Sequence, residues 1–365
     1  MREIVAQFEI AYTRFIGPNG EAVGPIPELS QGAAALKDLY RALVRTRTFD
    51  AKAVALQRTG RLGTYASSIG QEAVSVGAAS AMRETDVLLP SFREHGAQLL
   101  RGVTPLELFL YWGGDERGSA FAVPKEDFPI CVPVGSHAPH AAGVALAFKL
   151  RCEPRVAVCI FGDGATSKGD VAEAMNIAGV WGLPVVFVIS NNQWAISMPR
   201  RQQSAAATLA QKSIAAGFSG EQVDGNDVVA VRVVVGAAIE RARSGNGPTL
   251  VEAVTYRLGD HTTADDASRY RDDAEPSRHW AEDPLLRLRR YLTAAGQLSR
   301  ADEEHLLQET AAEIEAAAAS YLAVAPQDPA TIFDYTFAQL PAELDAQRQA
   351  LQDRGMNHRP TEPVQ

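Results

Sequence analysis

The sequence predicts an α/β fold, with a mostly parallel sheet flanked by helices. Two short apolar runs, 156–161 and 185–189, are rich in β-branched residues and are typical of buried strands. Between them, residues 167–181 carry small and apolar side chains at helical spacing, and Gly182-Leu183-Pro184 ends that helix. A strand–helix–strand unit of this kind places its two strands parallel.

The rest of the chain divides into four predicted segments. Residues 1–33 form an arm interrupted by prolines and glycines, and residues 34–280 form the α/β domain. Residues 281–354 form a helical C-terminal region, and residues 355–365 form a disordered tail.

Within the α/β domain, apolar periodicity predicts the remaining elements. Helices are predicted at 34–58, 71–82, 104–111 and 140–151, followed by one that ends near 243. Thr104 and Asp227 have the residue types that cap helix N-termini. Further strands are predicted at 86–89 and, with an alternating pattern, at 250–256. The polar stretch 261–273 is predicted to be a mobile surface loop.

The composition limits the class of protein. The 365 residues are 46% hydrophobic and 22% charged, so the chain can bury a substantial core. A formal net charge of −9 argues against non-specific nucleic-acid binding. No apolar run reaches the roughly eighteen residues of a membrane span, and the N-terminus lacks a signal-peptide core. Three cysteines, Cys131, Cys152 and Cys159, show no metal-binding spacing, so we expect reduced thiols in a cytoplasmic protein.

Polar side chains follow both central strands. Gly162-Asp163-Gly164 ends the first strand and Asn191-Asn192 ends the second, so both motifs lie at the edge where open α/β sheets bind ligands. A carboxylate and an amide oxygen suit Mg²⁺, which prefers a few protein oxygens together with phosphate oxygens and water. The two glycines allow a ligand to approach the backbone, and the helix N-terminus behind them favours an anion. The local prediction is a magnesium-bound diphosphate.

The spacing of these motifs, with 26 residues from Ala165 to Ser190 between Gly-Asp-Gly and Asn-Asn, resembles the thiamine-diphosphate signature. Other segments with this resemblance are GRLGTYASSIGQEA at 60–73, LLPSFREHG at 88–96, PVGSHAPHAAGVALAFK at 133–149, NNQWAIS at 191–197 and VTYRLGDHTTADDASRYR at 254–271. The chain, from about residue 8 to about residue 322, resembles the α subunit of the thiamine-diphosphate-dependent decarboxylating component of 2-oxoacid dehydrogenase complexes, pyruvate dehydrogenase type. The resemblance implies the thiamine-diphosphate-binding fold.

The resemblance also implies roles for individual residues. Asp163, the Asn192 side chain and the backbone carbonyl of Trp194 would bind Mg²⁺. Arg93 would donate to the diphosphate, and His261 would be the catalytic histidine of an active-site loop that reaches the cofactor. The full set of cofactor contacts implied by the resemblance is Phe92, Arg93, Val134, Gly162, Asp163, Gly164, Ala165, Asn192 and His261. Phe92 stands where relatives often carry tyrosine, which puts a hydroxyl contact there in doubt, and Val134 would meet the aminopyrimidine through its backbone.

The implied activity is oxidative decarboxylation of a small 2-oxo acid, with transfer of the acyl group to a lipoyl group on a dihydrolipoyl acyltransferase core. The cofactor would lie between this chain and a β subunit in an α₂β₂ heterotetramer. Pyruvate is the first choice of substrate, because residues 60–73 resemble the pyruvate branch of the family. The segments at 191–197 and 261–271 resemble branched-chain enzymes at least as much, so that alternative stays open.

Two functions of other classes predict different features in the sequence. A non-catalytic assembly subunit would have lost its cofactor, whereas Asp163, Asn192 and His261 are intact. A dinucleotide-binding oxidoreductase would carry a third glycine after Gly162 and Gly164 at the spacing of its fingerprint, and this chain does not.

Several of the singled-out residues also have plainer interpretations. His261 and the acidic run near Asp265 are also consistent with a solvated loop. His137 and His140 are consistent with capping or packing at a helix start, and Arg93-Glu94 with a surface ion pair of little energetic value. Gln71-Glu72 is consistent with either a helix start or a subunit contact.

Overall fold

The computed structural model of the protein describes residues 1–27, 32–334 and 336–357. The chain divides into two compact units, Met1–Tyr321 and Leu322–Gln365. Residues 28–31, within the predicted arm, and 358–365, within the predicted tail, lie outside the described residues. The other residues of the predicted tail, 355–357, belong to the last helix.

The strands are β1 (Tyr12–Thr13), β2 (Val87–Leu89), β3 (Ala157–Gly162), β4 (Val185–Asn191), β5 (Trp194–Ala195), β6 (Met198–Pro199), β7 (Ser219–Asp224) and β8 (Thr249–Val254). The helices that begin in the first unit are α1 (Ala33–Arg58), α2 (Glu72–Ser80), α3 (His95–Leu100), α4 (Pro105–Trp112), α5 (His137–Leu150), α6 (Gly169–Trp181), α7 (Arg200–Gln203), α8 (Lys212–Ala215), α9 (Val228–Arg243), α10 (Ala274–His279), α11 (Pro284–Ala294) and α12 (Arg300–Leu322). The second unit contains a short 3₁₀ turn (Pro329–Phe333) and α13 (Ala342–Asn357).

The main sheet confirms the predicted α/β fold. Its six strands run parallel in the order β1-β7-β8-β4-β3-β2. The pairing of β3 with β4 sets Gly162 opposite Ser190, and the pairing of β4 with β8 sets Asn191 opposite Val254. The carboxyl ends of β3, β4 and β8 therefore lie side by side at one edge of the sheet.

Apolar layers cover both faces of this sheet. In β3, Cys159 and Phe161 pack against α5 and α6, whereas Val158 and Ile160 pack against α2 and α9. Burial on both faces explains why the central strands are continuous apolar runs in the sequence.

The predicted helix boundaries rest on local chemistry that the structure confirms. Thr104 and Glu107 form a reciprocal capping box at the start of α4, and the Asp227 side chain accepts from the backbone N–H groups of Val229 and Ala230. Gly182 ends α6 with a φ of 53°, a left-handed conformation that favours glycine.

Two features of the sheet differ from the prediction. The side chains of β8 do not alternate between buried and exposed, because both faces of the strand are buried. Its one charged side chain, Glu252, accepts hydrogen bonds from Asn191, Ala210 and Gln222. β7 and the edge strand β1 were not predicted; through β1, part of the N-terminal arm belongs to the sheet.

In the described residues, no helix is both long and apolar enough to cross a membrane.

Candidate functional site

A cavity of about 170 Å³ lies at the carboxyl ends of β3 and β4. Every predicted site residue lines it: Phe92, Arg93, Val134, Gly162, Asp163, Gly164, Ala165, Asn192, Trp194 and His261. The fold thus gathers residues from five separate stretches of the chain, although their roles toward a ligand remain predictions. A larger cavity, of about 380 Å³, lies beside the ends of β7 and β8 and contains none of these residues.

Asp163 is a buried carboxylate with little compensation. It follows the last residue of β3 and begins a 3₁₀ turn, Asp163–Ser167, which precedes α6. Its side chain is 3% exposed, and Oδ2 accepts one long hydrogen bond from Gln203 at 3.3 Å. No ion pair forms with Asp163 in the part of the chain that the structure describes. Burial raises the pKa of Asp163 to about 6. A buried carboxylate in this condition suits a bound cation.

Asn192 is held firmly just beyond the end of β4. Its Oδ1 accepts the backbone N–H of Trp194 at 3.1 Å, and its Nδ2 donates to Gln71 Oε1 at 2.9 Å. Between them, Gln193 adopts a φ of 71° and turns the chain, so that the Trp194 backbone returns toward the Asn192 side chain. The predicted metal ligands Asn192 and Trp194 therefore share one tight turn.

These donors fit the predicted ion. In the described residues there is no cluster of three or more histidine, cysteine, aspartate or glutamate side chains that could hold a metal. One carboxylate, one amide oxygen and a backbone carbonyl form a sparse set of hard ligands. Such a set is appropriate to Mg²⁺ that completes its shell with phosphate oxygens and water.

The glycine turn before α6 is closely packed on one side. A Cβ atom at Gly164 would lie 2.6 Å from the Cβ of Ala195, so only glycine fits there. A Cβ at Gly162 would meet no atom within 4 Å, which leaves open space beside this part of the backbone. Space for a ligand beside the backbone is therefore found at Gly162, and contact of either glycine with a ligand stays a prediction.

Arg93 is not the surface residue that a simple ion pair with Glu94 would need. Both side chains are buried, and Glu94 instead accepts from the Ser91 hydroxyl at 2.7 Å. The Arg93 guanidinium donates to the backbone carbonyls of Ser67 at 2.6 Å and His261 at 2.5 Å, so the interpretation as a surface ion pair is wrong. Burial, and then the charge of Arg257, lower the pKa of Arg93 to about 10, which leaves it cationic at neutral pH.

Two arginines converge on His261. Arg93 lies 2.9 Å and Arg257 3.3 Å from its Nδ1. A guanidinium can only donate, so Nδ1 is an acceptor and the proton of the neutral ring is on Nε2. Within the described residues, neither arginine forms an ion pair with a carboxylate, and both are buried. Arg93 lines the cavity and Arg257 contacts the lining residue His261, so positive charge makes this end of the cavity suitable for an anion.

His261 does not have an ordinary histidine pKa. Burial, and then the charges of Arg93 and Arg257, lower the pKa of His261 to about 4. The side chain is half-buried, and its backbone N–H donates to Asp265 Oδ2 at 2.9 Å. Asp265 also accepts from the Tyr270 hydroxyl, so these residues are not simply solvated.

Three residues near the site were not predicted from the sequence to belong to it. Gln71 supports Asn192, and Arg257 contacts His261. His137 donates from Nε2 to the backbone carbonyl of Ile160 at 2.9 Å, and burial lowers its pKa. The sequence feature that could have indicated Gln71 is the polar pair Gln71-Glu72 at the start of a helix of small residues. The Glu72 side chain is fully buried against Arg47, so this pair faces the interior of the protein.

The raised pKa of Asp163 leads to a stability prediction for the ligand-free chain. Stability from the protonated carboxyl is fully present below about pH 4 and is lost as the pH rises through about 6. The free energy of unfolding of Asp163→Asn, which cannot ionise, should therefore exceed that of wild type by roughly 3 kcal/mol at pH 7.5. Urea denaturation without Mg²⁺ or cofactor should show this gap shrinking toward pH 4.5. A gap independent of pH would contradict the electrostatic cause.

The comparisons with known proteins agree with the geometry. The family model described as "Dehydrogenase E1 component" matches residues 40–329. The 3-methyl-2-oxobutanoate dehydrogenase subunit alpha of Mycobacterium tuberculosis (strain ATCC 25618 / H37Rv) is 44% identical over 317 residues, covering 87% of this chain and 86% of that protein. The pyruvate dehydrogenase E1 component subunit alpha of Acholeplasma laidlawii is 40% identical over 331 residues, covering 90% and 96%. The protein of the same name from Bacillus cereus is 37% identical over 357 residues, covering 97% and 95%. The chain therefore belongs to the dehydrogenase E1 component family.

Proposed function

We propose that this chain is the α subunit of a thiamine-diphosphate-dependent 2-oxoacid dehydrogenase of the pyruvate dehydrogenase type. It would decarboxylate pyruvate oxidatively and transfer the acetyl group to lipoyl groups of a dihydrolipoyl acyltransferase. The observation that supports this best is the meeting, in one cavity, of a buried carboxylate without an ion-pair partner, Asp163, and a buried guanidinium without one, Arg93, both statements being made of the described residues. A metal-bound diphosphate would satisfy both groups at once.

The residues of the cavity divide the binding work. Asp163, the Asn192 side chain and the Trp194 carbonyl would hold Mg²⁺, and Arg93 would donate to the diphosphate. The turn formed by Gly162, Gly164 and Ala165 would cradle the diphosphate. When bound, the cofactor supplies an electron sink that makes loss of CO₂ possible.

Exposed apolar residues at the mouth of the cavity favour the presence of a partner subunit. Val134 and Ile196 line the cavity, yet they are 45% and 56% exposed. Exposed apolar side chains at the rim of a site are typical of a surface that another chain covers. We propose that a β subunit covers it in an α₂β₂ heterotetramer. The Val134 backbone would then face the aminopyrimidine at that junction, and Phe92, which has no hydroxyl, would contribute only packing.

His261 is suited to work as a neutral hydrogen-bond donor. The Arg93 and Arg257 guanidiniums occupy Nδ1, so Nε2–H is the group available to substrate or lipoyl.

All three cysteines are free, which fits a reducing compartment, and the cytoplasm is the location we propose.

A branched-chain 2-oxo acid is the second candidate substrate. The relative at 44% identity is named for 3-methyl-2-oxobutanoate, whereas relatives at 37% and 40% are named for pyruvate. The two candidates share the same reaction and the same cofactor chemistry.

Steady-state kinetics on the chain co-expressed with its β subunit would test this function. We expect kcat/KM for pyruvate to exceed that for 3-methyl-2-oxobutanoate by about 10-fold or more, the scale on which a pocket discriminates added methyl groups. The reverse preference would assign the branched-chain substrate.

The chain without its β subunit serves as the control and should be inactive, because the proposed cofactor site is completed by the partner. Calorimetry on the co-expressed protein would show whether thiamine diphosphate binds. Absence of both binding and turnover would favour a non-catalytic assembly subunit.

A further inference from the structure

Gln71 is a buried polar residue whose position is not explained by the helix it precedes. It occupies the N-cap position of α2, but its side chain makes no capping hydrogen bond. The side chain is 4% exposed and lines the same cavity as Asp163 and Asn192. Its interactions therefore belong to the cavity rather than to the start of the helix.

A backbone group fixes which way the two neighbouring amides point. The Trp194 N–H can only donate, so the Asn192 atom that it meets at 3.1 Å is Oδ1. The other amide atom of Asn192, Nδ2, then faces Gln71 at 2.9 Å, and the Gln71 atom that accepts this hydrogen bond is Oε1. The Ser190 hydroxyl lies 3.3 Å from the same Oε1. Gln71 thereby holds Asn192 with its side-chain oxygen directed toward the Trp194 N–H rather than toward Gln71.

The other end of the Gln71 amide is left with unused hydrogen-bonding capacity. Nε2 is buried and has no hydrogen-bond partner among the described residues. A buried NH₂ group without an acceptor is unfavourable, and buried polar groups in native proteins normally have a hydrogen-bond partner. If the chain has the proposed function, the molecule that offers acceptors in this cavity is a diphosphate.

We propose that Gln71 is a positioning residue for the metal ligand Asn192 and, through Nε2, a hydrogen-bond donor to the bound diphosphate. This inference rests on the proposed function and adds a residue to its binding site. His137 Nδ1 is a second buried atom of this cavity without a partner, so a water molecule bridging it to Gln71 is the competing account. The competing account requires no contact between Gln71 and the cofactor.

Two substitutions separate the two functions of the side chain. Gln71→Glu keeps an oxygen that can accept from Asn192 Nδ2 but replaces the donor with an anionic oxygen. Gln71→Met keeps the length and removes both hydrogen bonds. The two variants would be purified as the full chain with its β subunit. Calorimetry would then give the Kd for thiamine diphosphate at saturating Mg²⁺ and the half-saturating Mg²⁺ concentration at saturating cofactor.

We expect Gln71→Glu to weaken the affinity for thiamine diphosphate by about 10- to 100-fold, the range for a lost hydrogen bond to a charged group. Its half-saturating Mg²⁺ concentration should stay near that of wild type. Gln71→Met should raise both quantities. If Gln71→Met does not fold, the isosteric Gln71→Glu variant is sufficient alone, because its affinity for thiamine diphosphate should fall while its half-saturating Mg²⁺ concentration does not change. Inorganic pyrophosphate with Mg²⁺ should reproduce the loss, which places it at the diphosphate.

Gln98 provides a matched control. It is a glutamine in α3, 2% exposed, whose side-chain nitrogen and oxygen both lack partners among the described residues, and it does not line the cavity. Gln98→Glu and Gln98→Met should leave both binding constants unchanged. Equal losses in the Gln98 variants would show that the effect is not specific to the cavity and would overturn the inference. Wild-type binding in both Gln71 variants would also overturn it and would favour the water-bridged account. Failure of wild type itself to bind thiamine diphosphate would instead reject the proposed function.

Discussion

Replacement of Asp163 by alanine is expected to abolish Mg²⁺-dependent binding of thiamine diphosphate. Asp163 is the only carboxylate among the proposed metal ligands, and the other carboxylate that lines the cavity, Glu94, accepts a hydrogen bond from the Ser91 hydroxyl. Removing a residue that merely supports a metal ligand costs about 10- to 100-fold in metal affinity, so loss of the anionic ligand should cost about 10²-fold or more. Calorimetry with thiamine diphosphate and Mg²⁺, on the chain with its β subunit, would measure the loss.

Asp170→Ala is the control for this prediction. Asp170 lies in the first turn of α6, close in sequence to Asp163, but its side chain is solvent-exposed and pairs with Lys168 at 3.2 Å. Its removal should leave cofactor affinity unchanged. The cofactor affinity of wild type should also fall as the pH drops below about 6, because protons then compete with Mg²⁺ for Asp163. Undiminished affinity in Asp163→Ala would reject the metal assignment.

Local sequence chemistry was sufficient to predict the centre of the fold. β3, α6 and β4 follow from two β-branched apolar runs around a helical pattern ended by Gly182, and the parallel pairing follows from the crossover rule. β7 could not be found in this way, because its sequence, SGEQVD, has no apolar run. What stabilises it is tertiary: it pairs with β8 along its whole length, and Gln222 donates to the buried Glu252.

The same distinction explains which parts of the site were predictable. Asp163 and Asn192 stand directly at strand ends, so their proximity follows from the order of the strands. Gln71 meets Asn192 across 121 positions of the sequence, and Arg93 meets His261 across 168. No local pattern encodes such contacts. The pKa of His261 depends on such contacts directly, because burial and the charges of Arg93 and Arg257 lower it to about 4.

The surroundings of the His261 ring determine which of its nitrogens is available to a substrate. With Nδ1 accepting from Arg93 and a pKa of about 4, the imidazole is neutral at physiological pH and presents Nε2–H as a fixed donor. Such a donor can stabilise negative charge or steer a thiol as the acyl group passes to lipoyl, whereas loss of CO₂ depends mainly on the cofactor. His261→Ala should therefore lower reductive acetylation of a lipoyl domain by about 10²-fold, within the range for a lost preorganised donor.

Decarboxylation assayed with an artificial electron acceptor should fall less than lipoyl acetylation in the same variant. His261→Gln, which retains an amide N–H, should recover part of the lost acetylation. If His261 acted instead by taking up and releasing a proton, glutamine could not replace it, because an amide does not titrate. His140→Ala is the control, because His140 is an exposed histidine of α5 that does not line the cavity. Equal losses in both assays would assign His261 to cofactor placement. Failure of glutamine to restore any activity would indicate that the ring must take up a proton at Nδ1, which requires one of the two arginines to leave it when the cofactor binds.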